Sequence, residues 1–293
     1  FRECRLMGPI IVSGLVSGSL YALVASGLSL VWGALGVFNF AHGALLMMGA
    51  YVAWTVASSS ALGAGIAAGV VASVIFMALA GVVLYLLLVR PWIGKPAAEL
   101  SVIMTTIAGG IFLENLFLTI YGGRLKVLDQ IVVGTIHIAG TAIQYQDLLA
   151  ILLAPALLGG LALLLTHNKT GLAVRAVAQN PDAARLVGVG VERIYIVTFA
   201  VSAVLAGVSG IMLGGLFNLI PSMGSDPLLR AFIVVVFGGL GSLTGTIVGA
   251  YVVGMIEAFS SFYIGIYWTP VVLFVVLIVI LTVRPTGLMG QAA

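Results

Sequence analysis

Unbroken apolar text constrains this chain more than any other feature in it. Residues 66–89 and 271–283 carry no charged side chain. A hydrocarbon layer of about 30 Å is crossed by about 20 apolar residues in a helix. Backbone groups in lipid must be bonded internally, so only helix bundles and closed barrels can span it. Barrel strands alternate apolar and polar residues. The runs here do not alternate, which selects helices. Composition agrees: 62% of the residues are hydrophobic and 7% charged, against about 45–50% and 25% in soluble domains.

Polar punctuation divides the chain into spans at 8–31, 35–57, 62–89, 100–121, 148–166, 194–219, 228–240, 245–262 and 268–283. The expected fold class is therefore an all-α integral membrane protein. It is one transmembrane domain over 1–293, a polytopic bundle of about eight or nine helices with broken or re-entrant segments. The run 228–240 is short and reads as a half-helix or re-entrant segment. The first run follows basic residues, as a signal peptide would, but is taken as the first span. Residues 1–6 have the character of a leader, with Met7 a candidate start.

Lys and Arg in short loops set orientation. The basic loop 90–95 and the segment 167–193, with Lys169, Arg175, Arg185 and Arg193, are separated by two spans. Both are expected in the cytoplasm, with the N-terminus outside. A net charge of +3 does not suggest nucleic acid, and Cys4, the only cysteine, excludes an internal disulfide. The polar stretch 122–147 reads as a solvated loop. The stretch 167–193 has more structure. Thr170 is a candidate cap for a short helix over 172–178. Asn180-Pro181-Asp182 combines a cap, a first-turn proline and a first-turn acid, and Gly188 suits a stop. The two helices form either a cytoplasmic docking hairpin or an amphipathic hairpin lying on headgroups.

No catalytic constellation occurs. The chain lacks G-x-x-x-x-G-K-[ST], H-E-x-x-H and G-x-S-x-G. Its histidines, His42, His137 and His167, lie in different segments, and no metal site is expected. Two breaks interrupt the apolar text. One is at 37–43, with Asn39 and His42; the other is at 238–245, rich in glycine. Non-helical backbone at membrane depth is tolerated where protein buries it or a wet cavity adjoins it, and paired breaks point to a transport path. Ordinary interfacial loops are the alternative. Gly-Ala-Tyr-Val recurs at 49–52 and 249–252 and hints at a repeat, although chance is a strong competitor in so biased a composition. Glu114, Asn115 and Glu257 interrupt apolar runs. A carboxylate there faces a partner, a wet cavity or the interface.

Together these residues resemble the membrane-spanning permease subunit of branched-chain amino acid ABC importers over nearly the whole chain. The resemblance is carried by Gly18-Ser19-Leu20-Tyr21-Ala22-Leu23, Asn39-Phe40-Ala41-His42-Gly43, Gly171-Leu172-Ala173-Val174-Arg175-Ala176, Leu186-Val187-Gly188-Val189, Gly238-Gly239-Leu240-Gly241-Ser242 and Pro285-Thr286-Gly287-Leu288. The resemblance implies a bacterial inner-membrane permease that imports branched-chain amino acids or related small polar solutes. It implies pairing with a second homologous permease, two cytoplasmic ATPases that bind ATP and Mg, and a soluble substrate-binding protein. This chain itself would hold no cofactor. Gly171, Arg175, Asn180, Asp182, Ala183, Arg185, Leu186 and Gly188 would then couple to the ATPase. Asn39, His42, Glu114, Asn115 and Glu257 are the candidates for the translocation path. Two positions depart from the family pattern: Ala44, where an acidic residue is frequent, and Glu114, where an uncharged polar one is common. A stand-alone secondary transporter or channel is the alternative from another class; it has no need of a docking hairpin.

Overall fold

The computed structural model describes residues 2–58, 65–138 and 141–290. Eleven helices lie in them: α1 Arg2–Leu35, α2 His42–Ala57, α3 Gly65–Leu84, α4 Ala98–Tyr121, α5 Tyr145–His167, α6 Lys169–Gln179, α7 Pro181–Leu186, α8 Val191–Leu216, α9 Ser225–Gly238, α10 Leu243–Tyr263 and α11 Thr269–Val283. A π-turn, Tyr85–Val89, and a 3-10 turn, Arg90–Trp92, extend α3. Phe1 and the first residues of the span expected at 62–89 lie outside the described residues. Among the described residues, six helices are long and apolar enough to cross a membrane: α1, extended α3, α4, α5, α8 and α10. The all-α polytopic membrane class stands. The remaining crossings are made differently from the uniform spans expected. The helices α2, α9 and α11 have only 16, 14 and 15 residues, about 21–24 Å at 1.5 Å per residue.

Two antiparallel helix pairs join the first part of the chain to the last. In one, α3 runs antiparallel to α8, with Gly207 against Met77 and Gly81 against Phe199 and Ala203. In the other, α10 runs antiparallel to α1, with Gly18 against Tyr251 and Gly254, and Thr246 Oγ1 donating to Ser29 Oγ at 3.1 Å. Likewise α2 packs on α3 and α9 on α10, and α4 packs on α2 and α11 on α9. The halves α1–α4 and α8–α11 are thus an inverted pair, an arrangement of broken-helix transporters. Gly-Ala-Tyr-Val does not mark this relation. Its first copy lies in α2 and its second in α10, whereas the counterpart of α2 is α9.

The most buried spans, α1 and α8, form the centre, and α4 is the least buried. Loops 36–41, 90–97, 239–242 and 284–290 gather at the face that carries α6 and α7. The opposite face carries the segment 122–144. It is not the plain loop expected: Thr135–Ile138 (β1) pairs antiparallel with Thr141–Gln144 (β2), and Lys126 bridges to Leu219. Lys126 Nζ lies 4.2 Å from the Trp54 ring centroid, beside Tyr121. Aromatic rings at this level suit a membrane interface.

Candidate translocation cavity and coupling hairpin

Residues 36–41 leave the end of α1 and climb back into the bundle before α2 begins. Three buried side chains fix the climb. Asn39 Oδ1 accepts from the Ala41 N–H at 3.1 Å, Thr106 Oγ1 accepts from the Phe40 N–H at 3.2 Å, and His42 Nε2 donates to Val24 O at 3.0 Å. The last bond leaves His42 Nδ1 to accept from the Ser202 hydroxyl, 3.5 Å away. Its ring fills the space beside Gly27, eight residues before Leu35. The first turn of α2 therefore starts about 12 Å below the end of α1.

The segment 217–224 does the same from the opposite face, and α9 starts at Ser225 with Gly224 as its cap residue. The two first turns meet there. A Cβ on Gly43 would stand 2.6 Å from Gly224 O, and one on Gly224 would run into the Gly43 carbonyl. Only glycine permits this approach. Beside the contact lies a cavity of about 190 Å³. Phe40, Gly43 and Ala44 line it from the first break, Ile107, Gly110, Ile111 and Glu114 from α4, and Pro221, Gly224, Ser225 and Leu228 from the second break.

The expected path residues separate in this geometry. Asn39 and His42 are 1% and 0% exposed and shape the break from behind the cavity wall. Glu114 lines the cavity and, among the described residues, has neither a hydrogen-bond nor an ion-pair partner. Asn115 turns away, its Nδ2 donating to Ile111 O at 2.8 Å on the exposed side of α4. Glu257 does not line the cavity. Arg230 Nε lies 3.2 Å from its Oε1, and the guanidinium stands 5.9 Å from the Tyr21 ring. The two family departures, Ala44 and Glu114, face the same cavity.

The 167–193 segment forms two helices, as its sequence indicates. Asn168, not Thr170, holds the cap position of α6, which runs Lys169–Gln179. Asn180 Oδ1 accepts from the Asp182 and Ala183 N–H groups, both at 3.0 Å, and starts α7. Gly188 stops it with φ +83°. Gly171 packs on the backbone of Leu164 and Leu165, and Val174, Val177 and Ala184 point inward. Arg175 Nη2 reaches Thr166 O at 3.5 Å, and Arg185 Nη1 lies 3.0 Å from Asp182 Oδ1. Leu186 and Val187 project outward, 90% and 78% exposed. Arg90 Nε, 2.7 Å from Glu192 Oε1, ties the base of the hairpin to the end of α3. Behind the hairpin a cavity of about 580 Å³ separates Gln179 and Pro181 from Gly36, Gly241 and Ser242. The described residues contain no cluster of three or more potential metal ligands.

Two short helices meeting at depth beside a cavity, within a polytopic bundle, are an arrangement of broken-helix transport proteins. The chain belongs to the family described as branched-chain amino acid transport system / permease component, whose model matches residues 10–281. It is 31% identical to the high-affinity branched-chain amino acid transport system permease protein LivH of Escherichia coli K12, covering 95% of this chain and 94% of that one. It is 31% identical to the corresponding protein BraD of Pseudomonas aeruginosa, with 96% and 95% covered. A probable LivH of Methanocaldococcus jannaschii is 28% identical, with 96% and 92% covered. No solved structure matches significantly.

Proposed function

We propose that this chain is the permease subunit of an ATP-driven importer for branched-chain amino acids or closely related solutes, in a bacterial inner membrane. The α6–α7 hairpin carries this reading. A chain without a phosphate-cradling loop can use ATP only through contact with a protein that has one. Such a contact must be outside the bilayer, stiff and adhesive. The hairpin is stiffened by the Asn180 cap and the Gly188 stop, and it presents Leu186 almost wholly to solvent. Central, desolvated contacts carry most interface energy and rim-exposed charges little; Leu186 and Val187, 90% and 78% exposed at the tip, are assigned as the central contacts and Arg175, Asp182, Ala183 and Arg185 as the rim. Two cytoplasmic ATPases, one per permease, are the partners, with a soluble binding protein on the opposite face. The second permease belongs against α4. That helix is the least buried span, yet it carries Asn115 and Thr119 on its open side, and polar groups facing lipid are costly.

Leu186→Asp tests the reading. The purified variant complex is expected to lose its ATPase subunits, or substrate-stimulated hydrolysis, while the bundle stays folded; Arg185→Ala has a milder effect. Full ATPase content with wild-type uptake overturns the coupling role and returns the hairpin to the headgroups.

A further inference from the structure

The cavity between the half-helices holds one ionisable side chain, and that side chain has no partner. The other acid at depth, Glu257, is neutralised by Arg230 at 3.2 Å. Glu114 is half-buried and meets no cation among the described residues. Apart from Ser225, the side chains around it are apolar, Phe40, Ile107, Ile111 and Leu228 the largest of them. A carboxylate in such surroundings at membrane depth is costly unless a counter-charge visits it. We propose that the visitor is the substrate, and that Glu114 is a specificity-determining residue that receives the ammonium group of an apolar amino acid in transit, while Phe40, Ile107, Ile111 and Leu228 receive its aliphatic side chain. This rests on the permease reading and deepens it. Small apolar solutes without an ammonium group, such as neutral amides and 2-oxo acids, leave the carboxylate uncompensated, and the second class also repels it.

A corollary concerns Ala44, on the opposite wall of the cavity. If the requirement is one carboxylate in this space, its point of attachment is negotiable. A carboxylate introduced at 44 then substitutes for one removed at 114.

The test uses the complete complex in proteoliposomes with its binding protein, measuring leucine uptake and ATP hydrolysis together. Glu114→Gln is expected to lower maximal leucine uptake tenfold or more while ATPase content and binding-protein-stimulated hydrolysis persist. Glu114→Asp retains part of the uptake. Ala44→Glu in the Glu114→Ala background recovers uptake, which a merely structural role of Glu114 would not allow. The wild-type complex carries leucine and excludes isovaleramide and 4-methyl-2-oxopentanoate. Wild-type uptake by Glu114→Gln, wild-type carriage of the amide or the oxo acid, or no carriage of leucine by a hydrolysing complex overturns the proposal. In each of these cases the persisting ATP hydrolysis leaves the permease reading intact, so the two fail separately.

Discussion

The two breaks that deliver α2 and α9 to the same depth are built to different standards. The first, 36–41, is held by side chains. Asn39, Thr106 and His42 each bond a backbone group in a closed interior, and Phe38 packs on Trp32, Phe40 and Phe232. The second, 217–224, is held by the buried Leu219 and by backbone bonds, with no side-chain hydrogen bond of its own among the described residues. Its bonds are the bridge between Lys126 and Leu219 and the turns from Met223 N to Ile220 O and Ser225 N to Ser222 O. Buried side-chain bonds in a low dielectric specify one conformation, because breaking any of them strands a polar group. The second break has no such side-chain bond to strand. The first break is therefore the fixed wall of the cavity and the second the wall that can yield. Its helix, α9, ends at the α6–α7 face, beside the loop 239–242 that borders the cavity under the hairpin. If the hairpin couples to an ATPase as proposed, a push on it would reach α9 through this loop.

Substitutions can break this comparison. Gly43→Val has the largest expected effect, because both walls meet at that backbone. Its side chain would enter the Gly224 carbonyl, and the cost is about 3 kcal/mol or more. Little folded protein should survive detergent extraction, as fluorescence-detected size exclusion would show.

His42→Ala tests the fixed wall. It removes the donor to Val24 O and empties a fully buried site. A loss of about 2–3 kcal/mol is expected, read as a lower Tm of the purified permease, whereas the same protein's hairpin still binds ATPase. An unchanged Tm would mean that the first break is not fastened as described.

Arg230→Ala tests the yielding wall. It leaves Glu257 without its cation, and the pair is partly exposed, so the cost is about 1–3 kcal/mol. Arg230→Met with Glu257→Gln should recover most of it. If the double variant is as unstable as the single one, the pair is not what holds α9 to α10.

Much of this was legible in one dimension because it is local. The cap at Asn180 and the stop at Gly188 depend on neighbours a few residues away, and so does the Asn39 turn onto Ala41, although Val24, Thr106 and Ser202, which fasten the same break, do not. What escaped depends on pairs far apart in sequence. Nothing near residue 43 announces Gly224, and nothing near Glu257 announces Arg230. The two carboxylates thus read alike in the sequence, though one is neutralised and the other is open to a cavity. The glycine-rich text at 238–245 does interrupt the helices, between α9 and α10, but the counterpart of the first break in the inverted pair is 217–224, whose text is ordinary. The hairpin Thr135–Gln144 was read as loop, because two four-residue strands carry little apolar signal.

The central claim is that solute passes between the half-helices, along the face that Ala44 presents and Asn39 and His42 do not. Ala44→Cys in a Cys4→Ser background tests it directly, in the complete complex during turnover. The account predicts modification by a cationic thiosulfonate reagent, slowing of that reaction by leucine, and loss of uptake once the cysteine is modified. A cysteine at 44 that reacts at the same rate with and without leucine, and whose modification leaves uptake unchanged, would contradict it.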